Sequence, residues 1–280
     1  AIAPWYIPWY PEDSTYLLGD ILALRCTANK FDGVVGPENE PYQGLALVDL
    51  TDSALAYSTL GLGFEWLTSV NAAGNKLYLS TCESMGSGSV FSWQRPLCAY
   101  YIQELDAAGP TLGPAANVPG NFVAYDPDTD LLTLQDVQWT AGGDTQSFLR
   151  TVRWYGVGVV SVLDGLGLSD YAGQLVPTRN KVYYSVYDEG FSLKGVAVGP
   201  DGQLAPAGSV LVSGRWATLL GAHENSAYLS VGNALARYDF SGEPVLADLI
   251  EVMGYPLDIR FGEQNAFVSM GYFGMAVLPL

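Results

Sequence analysis

Residues 254–280 read Gly-Tyr-Pro-Leu-Asp-Ile-Arg-Phe-Gly-Glu-Gln-Asn-Ala-Phe-Val-Ser-Met-Gly-Tyr-Phe-Gly-Met-Ala-Val-Leu-Pro-Leu, and their pattern decides the fold. Apolar residues dominate three short segments, 257–261, 266–270 and 275–278, and glycine-containing turns separate them. Because glycine reaches positive φ angles at little cost, such turns are typical between β-strands, and the pattern predicts three short strands. Three strands cannot bury both faces of a sheet by themselves, so we expect further copies to stack against them.

The second strand of this unit recurs along the chain. Its sequence Phe-Val-Ser-Met, residues 267–270, has counterparts spaced about 40–55 residues apart, which is the period of propeller blades. The counterparts are residues 22–25, 78–81, 131–134, 183–186 and 228–231. A further apolar segment follows each copy, and a polar turn with another apolar segment follows most of them, which gives about four strands per unit.

These repeats predict an all-β fold, namely a six-bladed β-propeller of four-stranded antiparallel blades that forms one domain over residues 1–280. No window shows a convincing 3.6-residue apolar period, and β-branched and aromatic residues favour strands throughout. An all-β sandwich would also explain short strands, but it does not explain six copies of one unit in one internal order. The expected units are about 15–63, 64–120, 121–170, 171–214, 215–253 and 254–280.

The N-terminal segment, residues 1–14, does not match the start of a unit. It is rich in aromatic residues, namely Trp5, Tyr6, Trp9 and Tyr10, and its three prolines exclude a helix. So much aromatic surface is expected to be covered. Because the last unit stops after its third strand, we expect this segment to supply the missing outer strand and to close the ring. The alternative is that the segment packs on a partner or on a neighbouring domain.

The charge balance excludes several classes of partner. The chain has 12 basic and 29 acidic residues and a net charge of −17. Binding to nucleic acid or to anionic lipid needs clustered Lys and Arg, so we expect neither partner. No apolar run approaches the length of a membrane span. The surplus of acidic residues is explained by solubility through repulsion, although a salty habitat or weak cation binding would also fit.

Composition also suggests a location. The chain begins with Ala1 and shows neither the basic region nor the apolar segment of a signal peptide, so we expect a processed form, a fragment or the ordered part of a longer protein. The abundance of Tyr, Trp, Gly and Ser and the scarcity of Lys resemble secreted bacterial proteins. We therefore expect a secreted or cell-surface protein.

The repeat and its ending, Gly-Tyr-Phe-Gly-Met-Ala-Val-Leu, resemble the LVIVD-repeat propellers, a family of secreted or surface proteins of bacteria and archaea. Units of that family run as "gn-aYvA…GL-VvDvs-p", and the match is carried best by residues 19–27 with 44–50 and 262–270 with 274–278. The resemblance covers most of the chain, and the third unit departs from it. It implies a secreted or surface propeller and no catalytic residue, because the family has no common catalytic motif.

Three long loops suggest a binding face. Residues 27–43, 83–97 and 140–146 each fall between the second and third strands of a unit, so they are expected on one face of the ring, the face that commonly carries propeller binding sites. Carboxylates and aromatic rings there would suit carbohydrate binding or glycoside cleavage, and ordinary loop packing is the alternative. The candidate binding residues are Phe31, Asp32, Glu38, Glu40, Tyr42, Glu83, Trp93, Arg95, Trp139 and Asp144.

The three cysteines suggest one disulfide. Cys82 ends one strand and Cys98 begins the next, so we expect them to face each other across the loop and to pair in an oxidising compartment. Closing a loop of this length stabilises a fold by up to about 3 kcal/mol in the chain-entropy model. Cys26 is expected to be an unpaired thiol, or to bond another chain. Cysteines at these spacings do not form a zinc site.

Two further segments contain residue types that take part in catalysis or metal binding in other proteins. His223 is the sole histidine, and without a G-x-S-x-G elbow it is expected to be a turn residue rather than part of a catalytic triad. Residues 126–130, Asp-Pro-Asp-Thr-Asp, begin like a calcium loop, but Leu131 and Val137 replace the Gly and Glu that an EF-hand needs. A turn is expected there, with a cation site as the alternative. We expect no cofactor and no metal.

The sequence therefore predicts a binding or structural module rather than an enzyme. The leading hypothesis is recognition of another protein, or self-assembly, through residues 5–10 or the aromatic residues Phe91 and Trp93. The alternative is a carbohydrate-binding or glycoside-cleaving propeller that uses the acidic and aromatic loops.

Overall fold

The computed structural model describes most of the chain, with gaps mainly at loops. The described residues are 10–18, 20–28, 42–51, 57–61, 66–73, 76–84, 98–106, 111–139, 145–155, 158–169, 172–187, 190–212 and 217–280. Within these ranges the regular structure is β-strand apart from a single 3-10 turn, so the predicted all-β class is confirmed.

The first two sheets occupy the N-terminal part of the described chain. The first sheet has four antiparallel strands in sequential order: β1 (Tyr10–Leu18), β2 (Ile21–Ala28), β3 (Tyr42–Asp49) and β4 (Tyr57–Gly61). The second sheet has five strands, of which the last two both pair with the third: β5 (Trp66–Ala73), β6 (Lys76–Ser84), β7 (Cys98–Asp106), β8 (Thr111–Leu112) and β9 (Ala116–Val118).

Three four-stranded sheets follow, each again in sequential order. The third sheet comprises β10 (Asn121–Asp126), β11 (Leu131–Trp139), β12 (Thr145–Trp154) and β13 (Val160–Gly167). The fourth comprises β14 (Ala172–Pro177), β15 (Lys181–Tyr187), β16 (Phe191–Val198) and β17 (Leu204–Leu211). The fifth comprises β18 (Ala217–His223), β19 (Ser226–Val231), β20 (Ala234–Asp239) and β21 (Val245–Glu251).

The last sheet has three antiparallel strands, as the opening sequence pattern predicted. They are β22 (Asp258–Phe261), β23 (Asn265–Ser269) and β24 (Met275–Pro279), and the 3-10 turn Gly271–Phe273 joins the last two. The six sequence copies that revealed the repeat lie in, or within one residue of, the second strands of the six sheets, β2, β6, β11, β15, β19 and β23. The predicted antiparallel four-stranded pattern is thereby confirmed for most of the sheets.

Apolar side chains on facing strands fill the space between neighbouring sheets. One core cluster joins the first two sheets and consists of Ala23, Leu45, Leu47, Leu77, Leu79 and Leu105. A second joins the fourth and fifth sheets and includes Tyr183, Leu193, Leu219, Leu229, Tyr238 and Phe240. A third joins the fifth and last sheets and consists of Tyr228, Leu235, Ile259, Ala266, Val268 and Met270. Strands buried on both faces explain the near-continuous apolar runs of the sequence.

The chain forms two compact units. One contains residues up to Leu134 together with Arg153–Ser161, and the other contains Gln135–Val152 with Val162–Leu280. In the first unit, β5 contacts both β1 and β10; in the second, β18 contacts both β14 and β22. The first strands of consecutive sheets are therefore adjacent within each unit, as expected when copies of one small unit stack. The closed ring of six blades and the single domain stay predictions.

The N-terminal expectation needs a correction. Tyr10 lies opposite Thr27 and Pro11 lies opposite Cys26, so residues 10–14 belong to β1 of the first sheet and do not complete the last one. The last sheet has no fourth strand within the described part of the chain. Residues 1–9, with Trp5, Tyr6 and Trp9, lie outside the described residues. None of the described residues forms a helix long and apolar enough to cross a bilayer.

Candidate protein-interaction surface

Two connections of the last sheet pack against each other through glycines. Gly254 has φ 106°, and a Cβ atom there would collide with Cδ2 of Phe273, so the Phe273 ring lies directly against the Gly254 backbone. Gly271 has φ 60°, and its Cβ would lie 3.2 Å from Cδ1 of Leu257. A side chain would be strained at both positions, because the backbone is in a region that L residues rarely adopt, and at Gly254 it would also collide with the Phe273 ring.

Backbone hydrogen bonds fix the same two connections. The N–H of Leu257 donates to the carbonyl of Ser269 at 2.8 Å. The N–H of Met270 donates to the carbonyl of Gly274 at 2.9 Å, and the N–H of Gly274 donates to the carbonyl of Gly271 at 3.1 Å. These bonds hold the 3-10 turn against the end of β23, so the side chains that project from it are held by ordered backbone.

The side chains that project here form an exposed apolar surface, which we call the apolar patch. Its members and their exposed fractions are Met253 (77%), Tyr255 (67%), Leu257 (61%), Tyr272 (108%) and Phe273 (64%). Residues 252–257 and 264–280 contain no Asp, Glu, Lys or Arg, although the whole chain is strongly acidic. An exposed, uncharged cluster of large side chains on fixed backbone is typical of an interaction site.

The outer face of the last sheet continues the uncharged surface along β24. Met275 and Val277 are 61% and 54% exposed, and they alternate with Ala276 and Leu278, which are partly buried against the fifth sheet. The register places Val277 opposite Phe267 and Met275 opposite Ser269. One face of this sheet is therefore buried and the other is open.

A separate aromatic cluster lies in the first compact unit. The ring of Tyr78 lies 4.6 Å from that of Tyr125 and 5.6 Å from that of Trp154, measured between centroids. Burial, with the nearby negative charge of Glu104 as a second cause, raises the pKa of Tyr78 to about 12. Burial and the hydrogen bond to Asp130 raise the pKa of Tyr125 above its ordinary value. Both hydroxyls therefore remain protonated at neutral pH, which suits a structural role rather than proton transfer.

A lysine joins the fourth and fifth sheets. Nζ of Lys181 donates to Oδ1 of Asn225 at 2.7 Å and to the carbonyl of Phe240 at 2.6 Å. Burial lowers the pKa of Lys181, and the charge of Asp239 opposes this shift. The Tyr183 hydroxyl donates to the carbonyl of Glu224 at 3.2 Å. Because these partners are turn carbonyls and one side-chain amide, the arrangement ties the fourth and fifth sheets together.

Most of the residues predicted from the sequence as a binding site lie outside the described part of the chain. This holds for Phe31, Asp32, Glu38, Glu40, Trp93, Arg95 and Asp144. Only the backbone is described for Tyr42, Glu83 and Trp139, which begin β3, lie near the end of β6 and end β11, respectively. The three long loops do join second and third strands, as expected, and the predicted carbohydrate site stays a prediction.

The backbone register gives new information about the cysteines. Cys98 lies opposite Ser84, and Cys82 lies opposite Tyr100, so the two cysteines are offset by two residues and do not face each other directly. In the first sheet, Cys26 lies opposite Gly44. The side chains of all three cysteines lie outside the described residues, and the disulfide stays a prediction.

His223 and residues 126–130 make local packing contacts and turn hydrogen bonds. His223 ends β18, just before the turn at Glu224, and its ring stacks on Phe261 with centroids 5.3 Å apart. Residues 126–130 form a turn, as expected, in which both carboxylate oxygens of Asp126 accept hydrogen bonds, from the Asp128 N–H and the Thr129 hydroxyl. Among the described residues, no group of three His, Cys, Asp or Glu residues is placed to hold a metal ion.

Sequence reasoning missed the apolar patch. It expected the interaction surface at residues 5–10 or at Phe91 and Trp93, and these residues, apart from the backbone of Tyr10, lie outside the described part of the chain. The available signal was the run from Gln264 to Leu280 without a charged residue, in which Tyr272 and Phe273 stand between two glycines. Comparison with known protein families and with curated proteins found no match, so the LVIVD resemblance stays a prediction.

Proposed function

We propose that this chain is a non-catalytic module of a secreted or cell-surface protein, and that it recognises another protein through the apolar patch. The observation that carries the proposal is the exposure of Tyr272 and Phe273 on a turn whose backbone is fixed by hydrogen bonds and by close packing on Gly254. Contact between large apolar side chains and water is unfavourable, so covering them with a partner lowers the free energy of the complex.

The composition of the patch supports a protein partner. Tyr, Phe and Met are enriched at the centres of protein interfaces, where a few aromatic anchors supply most of the binding energy. The ordered turn lowers the entropy that Tyr272 and Phe273 lose on binding, because their backbone is already fixed. The lack of charge in the patch also removes the desolvation penalty that buried ionic groups would carry.

We also propose the six-bladed propeller as the architecture that presents this patch. The support is the repeated order of the sheets and the adjacency of their first strands within each compact unit. A crystal structure of the full chain tests the ring. Two facing sheets in place of radial blades would contradict it.

The proposed function is tested with two matched variants. Tyr272→Asp places a charge in the apolar patch, and Tyr187→Asp places the same charge at an exposed tyrosine (66%) at the end of β15. Both variants should retain the wild-type thermal midpoint, because neither side chain is buried. The immobilised wild type and Tyr187→Asp should retain one defined protein from a surface or secreted extract of the source organism, and Tyr272→Asp should lose it.

Two results would reject the proposal. Either no protein is retained by the wild type, or both variants lose the partner to the same extent. A glycan array probed with the wild type tests the carbohydrate alternative separately, and polysaccharide hydrolysis by the purified chain would show that the protein is an enzyme.

A further inference from the structure

The methionines of the chain differ sharply in their exposure to solvent. There are four of them, and Met85 lies outside the described residues. Met253 and Met275 are 77% and 61% exposed, whereas Met270 is 8% exposed and lies in the core cluster between the fifth and last sheets. An oxidant in the solvent therefore reaches the side chains of Met253 and Met275 much more readily than that of Met270.

The two exposed methionines flank the aromatic residues of the apolar patch. Met253 directly precedes Gly254, against whose backbone the Phe273 ring lies, and Met275 follows Phe273 by two residues. Met253 belongs to the patch, and Met275 begins the strand along which the uncharged surface continues. A change of polarity at either methionine therefore alters the surface that a partner of the patch would cover.

Oxidation at these two positions should leave the core contacts intact. On β24 the side chains that pack against the fifth sheet are Ala276 and Leu278, and Met275 lies on the opposite, exposed face. Met253 lies in the connection that follows β21. An oxygen atom added to Met270, by contrast, would be a polar group without a partner in the core. The fold thus separates two methionines that tolerate oxidation from one that does not.

Hydrogen peroxide is the oxidant that suits this surface. It is uncharged, so the net charge of −17 does not repel it as it would repel an anionic oxidant. The thioether sulfur attacks one peroxide oxygen, the S–O bond forms as the O–O bond breaks, and the leaving hydroxide takes the proton of the transferred oxygen to become water. Sulfur loses two electrons and the peroxide gains them. The product is a polar sulfoxide, which a thiol-dependent reductase returns to the thioether.

We propose that Met253 and Met275 are reversible modification sites, at which hydrogen peroxide oxidises the thioethers to sulfoxides and thereby releases a protein bound at the apolar patch. The sulfoxide oxygen is a hydrogen-bond acceptor. An apolar partner surface offers it no donor, whereas water does, so oxidation destabilises the complex relative to the free chain. The release of a partner rests on the proposed function, and the oxidation of the two sites does not.

Peptide mass spectrometry of the full-length chain after peroxide treatment tests the sites. Met253 and Met275 should each gain one oxygen atom about tenfold or more faster than Met270, while the urea midpoint stays at the untreated value. Methionine sulfoxide reductase with dithiothreitol should remove both oxygen atoms. Equal rates at the three methionines, or a fall of the urea midpoint as the exposed pair is oxidised, would overturn the proposal.

Retention on a phenyl-substituted column measures the polarity of the surface without a partner protein. The wild type should elute earlier after oxidation. Met253→Leu with Met275→Leu has no thioether at the two sites, so its elution should match that of its own untreated sample. Met85→Leu is the matched control and should shift as the wild type does. Equal shifts of the wild type and the double variant would show that another residue is responsible and would reject the proposal.

The protein retained by the immobilised wild type measures the release. Oxidised wild type should bind it about tenfold or more weakly than untreated wild type, and the reductase should restore binding. The double variant should lose less than about twofold of its own untreated affinity under the same treatment. Undiminished binding to the oxidised wild type would overturn the release. If even the untreated wild type retains no protein, the proposed function and the release fail together, and the mass spectra alone decide the modification sites.

Discussion

The Tyr125 hydroxyl donates a 2.7 Å hydrogen bond to Oδ1 of Asp130, a residue whose backbone adopts φ 54°. The bond spans the turn between β10 and β11, and the N–H of Trp154 donates to the carbonyl of the same Asp130 at 3.0 Å. Aspartate tolerates this left-handed conformation better than most residues. The carboxylate that resembled a calcium ligand in the sequence thus ties a half-buried aromatic residue to a turn.

Removing this hydrogen bond should destabilise the fold. Tyr125→Phe is expected to lower the free energy of unfolding by about 1 kcal/mol, because it deletes a hydrogen bond to a charged acceptor that remains partly solvated. Urea denaturation of the wild type, Tyr125→Phe, Asp130→Ala and the double variant measures the coupling between the two residues. Additive effects of the two single substitutions would contradict an energetic role for the bond.

Buried tyrosines predict a loss of stability in alkali. The pKa of Tyr78 is raised from 10.0 to about 12, so the unfolded chain releases this proton at lower pH than the folded chain. The contribution to stability is therefore complete below pH 10 and is lost as the pH rises from 10 to 12. The thermal midpoint should fall across this range, and the fall should be smaller in Tyr78→Phe. An equal fall in both proteins would show that the burial of Tyr78 is not the cause.

The apolar patch depends on a close contact that can be tested with alanine. Gly254→Ala should destabilise the chain by about 1–3 kcal/mol, because it combines an unfavourable positive φ with a collision between Cβ and the Phe273 ring. Gly274→Ala is the matched control, since Gly274 also has positive φ (86°) but no heavy atom lies within 4 Å of its added Cβ. Urea denaturation should show the larger loss for Gly254→Ala. Equal losses would mean that backbone strain alone decides the effect.

The repeat was predictable because its signal is local. Phe267 and Val268 belong to a short apolar strand that follows a tight turn, and a similar apolar segment lies in the second strand of each sheet that the structure describes. The exposure of Met275 and Val277 was not predictable, because their alternation with Ala276 and Leu278 fits a strand buried on both faces equally well. Whether such a face is covered depends on neighbours that are distant in sequence.

The register of paired strands and the orientation of aromatic side chains could likewise not be predicted from the sequence. The offset between Cys82 and Cys98 is set by the pairing of β6 with β7, and a shift of two residues leaves the apolar pattern unchanged. Similarly, the glycines around Tyr272 and Phe273 predicted a turn, but the direction of the Phe273 ring follows from its contact with Gly254. Local composition carries no information about that contact.

The lysine between the fourth and fifth sheets should stabilise their packing. Lys181→Met retains most of the apolar stem but leaves the Phe240 carbonyl and the Asn225 side-chain oxygen without their shared donor. A buried acceptor without a partner costs about 1–3 kcal/mol, and because these two acceptors are only partly buried we expect a loss of about 1 kcal/mol, so the thermal and urea midpoints should both fall. Lys194→Met is the control, because Nζ of Lys194 donates a 2.8 Å hydrogen bond to the hydroxyl oxygen of Ser169. When that hydrogen bond is removed, the Ser169 hydroxyl can rotate toward another partner, so the loss of stability should be smaller. If Lys181→Met were as stable as the wild type, the two hydrogen bonds of Lys181 would merely replace equally good bonds to water, and the apolar cluster around Tyr183 and Phe240 would alone hold the two sheets together.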